Sequence, residues 1–247
     1  MPALGRVLYR EWVLFTATQS TYWGALVEPV LYLLFFLPGM GALMPARAHW
    51  ALFALPGVLT ILAMTVSQHV GAPVFFDRYT GEAETLTTLP VARGWVTLGR
   101  LVTALVRMLI QAALAIALAW ILFATVRAVS PVSLAVLWLL AGVSAIVLST
   151  LTLWAATVVA NPAQFNLVFG LLMTPLLLTS AAFYPVSDLP SVMRVLASVN
   201  PVTYLVIDMR ATTAGAAALS PWSIGVPFVV AVVAFVLVLR GQRQVIG

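Results

Sequence analysis

The chain has 247 residues, of which 63% are hydrophobic and 8% are charged, and its formal net charge at pH 7 is +5. About a quarter of the residues in a soluble domain are charged, so this composition indicates a membrane protein. Every strongly basic residue is arginine, and a P-loop ATPase site, which requires lysine, is therefore excluded. The absence of cysteine excludes disulfides, thiol catalysis and Cys-ligated metal sites. The arginines are scattered, which argues against nucleic-acid binding.

Residues 1–20 are predicted to form an amphipathic helix in the membrane interface. Their apolar residues recur at helical spacing, and these are Leu4, Val7, Leu8, Trp12 and Phe15. Arg6 and Arg10 lie off this stripe. The alternative is that the segment is the helical start of the first span. No cleavable signal peptide is predicted, because the first apolar run is as long as a full span.

Six apolar segments follow, each long enough to cross a hydrocarbon core of about 30 Å as a helix. They are Tyr22–Leu43, Ala51–Phe75, Leu101–Thr125, Val132–Ala160, Ala163–Tyr184 and Trp222–Leu239. None alternates as a barrel strand does, and backbone groups in lipid need partners within their own segment. The fold class is therefore an all-α membrane protein with six transmembrane helices, in a single domain over residues 1–247.

An even number of spans places both termini on one side of the membrane. If that side is the cytoplasm, the inner segments hold seven arginines: Arg6, Arg10, Arg78, Arg93, Arg100, Arg240 and Arg243. The outer loops then hold four: Arg47, Arg127, Arg194 and Arg210. The positive-inside rule favours this orientation and places the connector between spans two and three in the cytoplasm.

That connector, residues 76–95, concentrates charge in a chain that has little. "FFDRYTGEAETLTTLPVARG", residues 75–94, holds Asp77, Arg78, Glu82, Glu84 and Arg93. Leu86 and Leu89 among acids and threonines suit a helix that docks in a groove of a soluble partner. A solvated loop that merely stays out of lipid is the equal alternative on physical grounds.

The connector between spans five and six, residues 187–215, is predicted to re-enter the membrane from outside. Its apolar residues from Leu189 to Val199 share one helical face, but about ten residues are too few to span a bilayer. The helix is expected to stop before Asn200-Pro201, because a proline disfavours helical geometry in the residue before it. Asp208 and Arg210 follow, and are expected to pair or to cap helices.

The spans contain few polar side chains, and no catalytic arrangement is present. Glu28 in span one precedes Pro29 and either lines a path, carries a proton, or pairs with Arg100 or Arg107. Gln68 and His69 lie in span two, where a polar contact between helices is the simpler interpretation. No carboxylate pair or metal-ligand spacing accompanies the two histidines, so the chain is predicted not to be an enzyme.

Several motifs occur in order along the chain. The charged connector has a pattern of Phe76, Asp77, Arg78, Gly81, Glu82, Glu84, Leu86, Pro90, Val91 and Arg93, followed by the "LGR" of residues 98–100. The other motifs are "FYPVSDLP" (residues 183–190), "NPVTYLVIDMR" (residues 200–210), "YRE" and "EPVLYLLFF". In the charged connector, the outer connector and these N-terminal motifs, the sequence resembles the ABC-2 family, the membrane subunits of ATP-binding-cassette exporters. The outer connectors are short and include no large external domain.

The resemblance implies a role for each segment. Tyr79–Pro90 would be a cytosolic coupling helix in a cleft of a separate ATPase subunit, and residues 1–20 would be a connecting helix. The implied ATPase contacts are Asp77, Arg78, Tyr79, Glu82, Glu84, Thr85, Leu86, Leu89 and Pro90. The implied substrate path or gate comprises Glu28, Phe35, Gln68, His69, Asn166, Phe169 and Met173.

The resemblance also implies the partners and the location. Two ATPase subunits would bind ATP and Mg²⁺, this chain would bind no cofactor or metal, and a second copy or a homologous permease would complete the path in a prokaryotic inner membrane. The first span is closer to the drug and antibiotic-resistance branch, which favours a hydrophobic or amphipathic substrate. The alternatives are a polysaccharide or lipid-linked glycan exporter, and a self-sufficient ion-coupled transporter that uses Glu28.

Overall fold

The structure, a computed structural model, consists of helices that pack side by side. It describes residues 27, 30–36, 38–39, 41, 50–79, 93–159, 161–180, 182, 184–215 and 221–244. These residues include no β-strand, which confirms the all-α prediction. Their α-helices are α1 (Trp50–Tyr79), α2 (Arg93–Leu122), α3 (Ala124–Arg127), α4 (Pro131–Val158), α5 (Pro162–Thr179), α6 (Ser191–Val199), α7 (Pro201–Thr213) and α8 (Pro221–Gln244). Tyr32–Phe36 forms a π-helical turn and Val186–Asp188 a 3-10 turn.

Four helices of the described residues contain a stretch long and apolar enough to cross a membrane. The stretches are Trp50–Phe75, Gly94–Leu122, Pro131–Val158 and Ile224–Gly241, in agreement with predicted spans two, three, four and six. The bent pair α6–α7 would make a fifth if it counts as one span. Most of predicted span one, with the interfacial helix before it and residues 80–92, lies outside the described residues, so the six-span topology stays a prediction.

Predicted span five is shorter in the structure than the sequence indicates. Its helix, α5, ends at Thr179 instead of Tyr184. The backbone N–H and the hydroxyl of Ser180 both donate to the Leu177 carbonyl, at 3.3 and 2.7 Å. This tight final turn ends the helix and leaves the residues that follow free to form the connector.

Helix α1 lies at the centre of the bundle. In its most apolar stretch 78% of the residues are buried, against 28% for α2 and 17% for α8. It contacts α2, α4, α5 and α7. It packs most extensively against α4. There Gly71 meets the side chain of Thr152, and the Thr152 hydroxyl donates to Ser67 Oγ at 3.2 Å. The glycine lets the two helices approach each other closely.

Contacts between helices define two ends of the bundle. At one, which we call the Phe75 end, the rings of Phe75 and Phe165 stack at 5.6 Å and Gly241 of α8 faces Thr157 of α4. At the other, the Phe53 end, the start of α1 meets the end of α7 through Phe53 and Arg210. Helices α1, α4 and α8 therefore run from the Phe53 end to the Phe75 end, and α2 and α5 run back.

Helices α6 and α7 meet at an angle of 90° at Asn200. The sequence predicted that α6 would stop here, and it does. Asn200 is 3% exposed, and its side-chain amide donates to the Leu176 carbonyl at 2.6 Å and to Thr179 Oγ1 at 2.9 Å. Its Oδ1 accepts the Val202 N–H at 2.9 Å and caps α7. The bend is thus bonded to the last turn of α5.

Arg210 joins three parts of the chain at the Phe53 end. Its Nε donates to the Phe53 carbonyl at 3.2 Å, Nη1 to the Tyr184 carbonyl at 3.3 Å, and Nη2 to the Ala182 carbonyl at 2.6 Å. Its guanidinium carbon also lies 3.8 Å from the centre of the Phe53 ring. The expectation that Arg210 pairs with Asp208 is wrong, because these bonds go to backbone carbonyls and Asp208 Oδ2 is buried with no hydrogen-bond partner.

Candidate functional site: the exposed ridge of helix α1

Helix α1 is buried on nearly every side, and it leaves one narrow strip uncovered. His69 and Pro73, one helical turn apart, are the exposed residues of its described side chains, and Thr65 and Gln68 beside them are half-buried. We call these four residues the α1 ridge. Because residues three and four apart share a helical face, Thr65, His69 and Pro73 form a continuous line along the helix.

The α1 ridge differs in chemistry from the outer faces of the peripheral helices. Along α2 and α8, exposed aliphatic and aromatic side chains recur at helical spacing. They are Leu98, Val102, Val106, Ile110 and Leu114 on α2, and Phe228, Val229, Val232, Val233 and Val236 on α8. Such faces suit lipid chains. An imidazole and an amide exposed to hydrocarbon would lose their hydrogen bonds to water without replacement, at a cost of about 2–7 kcal/mol each on transfer scales. The ridge is therefore suited to water, a ligand or another protein surface.

The ridge has polar groups that can bind but no groups arranged for catalysis. His69 Nδ1 lies 2.8 Å from the Thr65 carbonyl oxygen, and the Thr65 hydroxyl donates to the Ile61 carbonyl at 3.3 Å. The described residues contain no group of three or more His, Cys, Asp or Glu that could hold a metal ion. The ridge thus presents one exposed imidazole and one half-buried amide.

Helix α5 packs against α1 at the Phe75 end. Phe165 stacks between Phe75 and Phe169, with ring centres 5.6 and 6.2 Å apart. Phe169 and Met173 are 7% and 1% exposed, so these two predicted path residues lie in the core rather than on a surface. Asn166, which follows Phe165 in α5, is exposed.

The structure gathers only part of the predicted site. Gln68 and His69 lie together on the ridge, whereas Phe35 is 69% exposed in the π-helical turn, which packs against α2. Glu28 lies outside the described residues. The sequence interpretation missed Thr65 and Pro73, although their spacing of four residues from His69 was a signal that could have found them.

The predicted ATPase contacts fall where α1 ends. Asp77, Arg78 and Tyr79 are its last three residues, and their side chains lie outside the described part of the structure. The remaining contacts lie outside the described residues: Glu82, Glu84, Thr85, Leu86, Leu89 and Pro90. Helix α1 therefore carries the ridge, and the predicted docking segment begins at its last residue, Tyr79.

A family model described as ABC-2 type transporter matches residues 2–214. No curated protein matches the sequence.

Proposed function

The chain belongs to the ABC-2 type transporter family, and from this premise we propose that it is the permease subunit of an ATP-driven exporter of hydrophobic or amphipathic molecules. The observation that carries the proposal is the α1 ridge, since the most buried helix exposes an imidazole beside a half-buried amide, while α2 and α8 expose apolar side chains. A ridge of this kind fits a path that admits water and amphipathic molecules.

A second copy of this chain, or a homologous permease, would enclose the ridge. Two ridges facing each other would give a path with apolar walls and a few polar groups, which is typical of sites for large apolar ligands. The exposed face of α5, with Asn166, would lie toward the partner permease. The Phe75 end would face the cytoplasm of a prokaryotic inner membrane, in keeping with the arginine distribution.

Coupling to ATP would act through helix α1. Its 30 residues make a rod about 45 Å long, from the Phe53 end to the segment that is predicted to dock on the ATPase. ABC ATPase subunits are the partners that the family implies, and ATP and Mg²⁺ would bind there. Movement of the docking segment would shift the ridge directly, since this segment begins at Tyr79, the last residue of α1.

The test is association with an ATPase and coupled hydrolysis. Tagged chain is purified from its native membranes, co-purifying P-loop proteins are identified by mass spectrometry, and ATP hydrolysis of the complex is measured. We expect Glu82→Ala/Leu86→Asp to reduce association and hydrolysis at least about tenfold, as loss of a central interface anchor does. Asp188→Ala, an exposed acid at the other end, is the control and should change neither.

Two results would contradict the proposal. One is gradient-driven transport by the isolated chain in liposomes, without any ATPase. The other is full association and hydrolysis in the double variant, which would remove Tyr79–Pro90 from the interface.

A further inference from the structure

The imidazole of His69 is held in one tautomer by its own helix. Nδ1 lies 2.8 Å from the carbonyl oxygen of Thr65, one turn earlier. A carbonyl oxygen can only accept, so Nδ1 carries the hydrogen in this bond. In the neutral ring the other nitrogen, Nε2, then has a free lone pair and is a hydrogen-bond acceptor.

The neighbours of His69 on the ridge do not use this acceptor. The Thr65 hydroxyl donates to Ile61, and Pro73 has no N–H. Among the described residues, none donates to Nε2 of His69, and the side chain is exposed. The Gln68 side chain, next in sequence, adds an amide that both donates and accepts.

This acceptor matches the chemistry of a hydroxyl group. A hydroxyl can donate its hydrogen to Nε2 of His69. A methyl ether of the same molecule retains the acceptor but loses the donor. Hydrocarbon around the ridge provides neither group, so the hydroxyl is the feature that the ridge distinguishes.

We propose that His69 is a specificity-determining residue: its Nε2 accepts a hydrogen bond from the hydroxyl of an amphipathic alcohol or phenol, and the path prefers such molecules over their ethers. This inference rests on the proposed function, since it assumes that the ridge lines the path. It assigns the hydroxyl of the substrate to His69 and leaves the apolar body of the substrate in the hydrocarbon around the ridge.

The test compares two fluorescent probes, 1-hydroxypyrene and 1-methoxypyrene, on the full-length chain in lipid nanodiscs. Energy transfer from tryptophan to pyrene measures binding. The affinity of each probe is expressed in terms of its mole fraction in the lipid. Because the lipid is the same for all variants, partitioning does not affect the comparison between them. We expect wild type to prefer the hydroxyl probe about 3- to 10-fold, the size of one net hydrogen bond.

Three variants separate the acceptor from the bond to Thr65. His69→Gln places an amide near the position of Nε2 and should retain the preference. His69→Asn places its amide near the position of Nδ1, so it can still donate to Thr65 but should lose the preference. His49→Asn, the same change at the other histidine of the chain, is the control and should behave like wild type.

Two measurements show that His69→Asn is folded. It binds 1-methoxypyrene as wild type does, and it elutes as a single monodisperse peak in size-exclusion chromatography. A preference that persists in His69→Asn overturns the proposal, and so does a wild type that binds both probes equally, prefers the ether or binds neither. Loss of ATPase association tests the proposed function separately, because this binding measurement uses no ATPase.

Discussion

At the scale of single residues, Arg210 shows how one side chain can organise the Phe53 end. A guanidinium has its donors in a fixed planar fork, and here they reach three carbonyls on two segments while the plane lies over the Phe53 ring. A lysine has a single compact ammonium and cannot span these acceptors. The arrangement therefore depends on arginine specifically and not on positive charge.

Arg210→Lys should lower the free energy of unfolding by about 1.5–3 kcal/mol, since at least one charged hydrogen bond is lost. Thermal or denaturant unfolding of the chain in detergent measures the change. Arg127→Lys is the matched control, because Arg127 is exposed, and it should stay within about 0.5 kcal/mol of wild type. Equal stability of the two variants would show that the three carbonyl bonds contribute no net stability.

The role of Arg210 was only partly accessible from the sequence. Asp208 is two residues away, and residues two apart on a helix do not face each other, so pairing could have been rejected from spacing alone. The actual partners are backbone carbonyls of Phe53, Ala182 and Tyr184. No sequence pattern marks a carbonyl as an acceptor, because every residue has one.

At the scale of elements, the contact between α1 and α4 depends on Gly71. A Cβ at this position would collide with Cγ2 of Thr152, and the Thr152 backbone carbon would lie at 3.4 Å. Two packed helices have little room to shift, so the collision would separate them. Separation would also lengthen the bond between Thr152 and Ser67.

Gly71→Ala should therefore destabilise the chain by about 1–3 kcal/mol, the usual cost of overpacking. Gly225→Ala in α8 is the control, because a Cβ at residue 225 would meet no atom within 4 Å, and it should be neutral or stabilising by up to about 1 kcal/mol. Adding Thr152→Ser to Gly71→Ala removes Cγ2, keeps the hydroxyl and should restore part of the loss. A double variant no more stable than Gly71→Ala would show that Cγ2 is not the cause.

Hydropathy predicted spans two, three, four and six, because a long apolar run in lipid has to be a helix. The stop before Asn200 followed from the proline at residue 201. The end of α5 at Thr179 and the 90° bend were not predictable in this way. They depend on hydrogen bonds from Asn200 to Leu176 and Thr179, which are distant in sequence.

At the scale of the whole molecule, burial distinguishes helices that have similar hydropathy. Helices α1, α2 and α8 are all apolar enough to span a membrane, yet α1 is central and α2 and α8 are peripheral. The sequence therefore predicted Gln68 and His69 as polar residues in a span but could not place them on the only exposed strip of the described part of α1. The helix that carries this strip ends at Tyr79, where the segment predicted to dock on the ATPase begins.

The most direct test of a transport path along α1 is the accessibility of the ridge to water. The chain has no cysteine, so His69→Cys, Val102→Cys and Val232→Cys each provide a single thiol. A membrane-impermeant methanethiosulfonate reacts with the thiolate, which forms in water and not in hydrocarbon. In nanodiscs we predict modification at residue 69 at least about tenfold faster than at residues 102 and 232, on the exposed faces of α2 and α8. Equal resistance of all three thiols would place the ridge against lipid and contradict its role as the lining of a transport path.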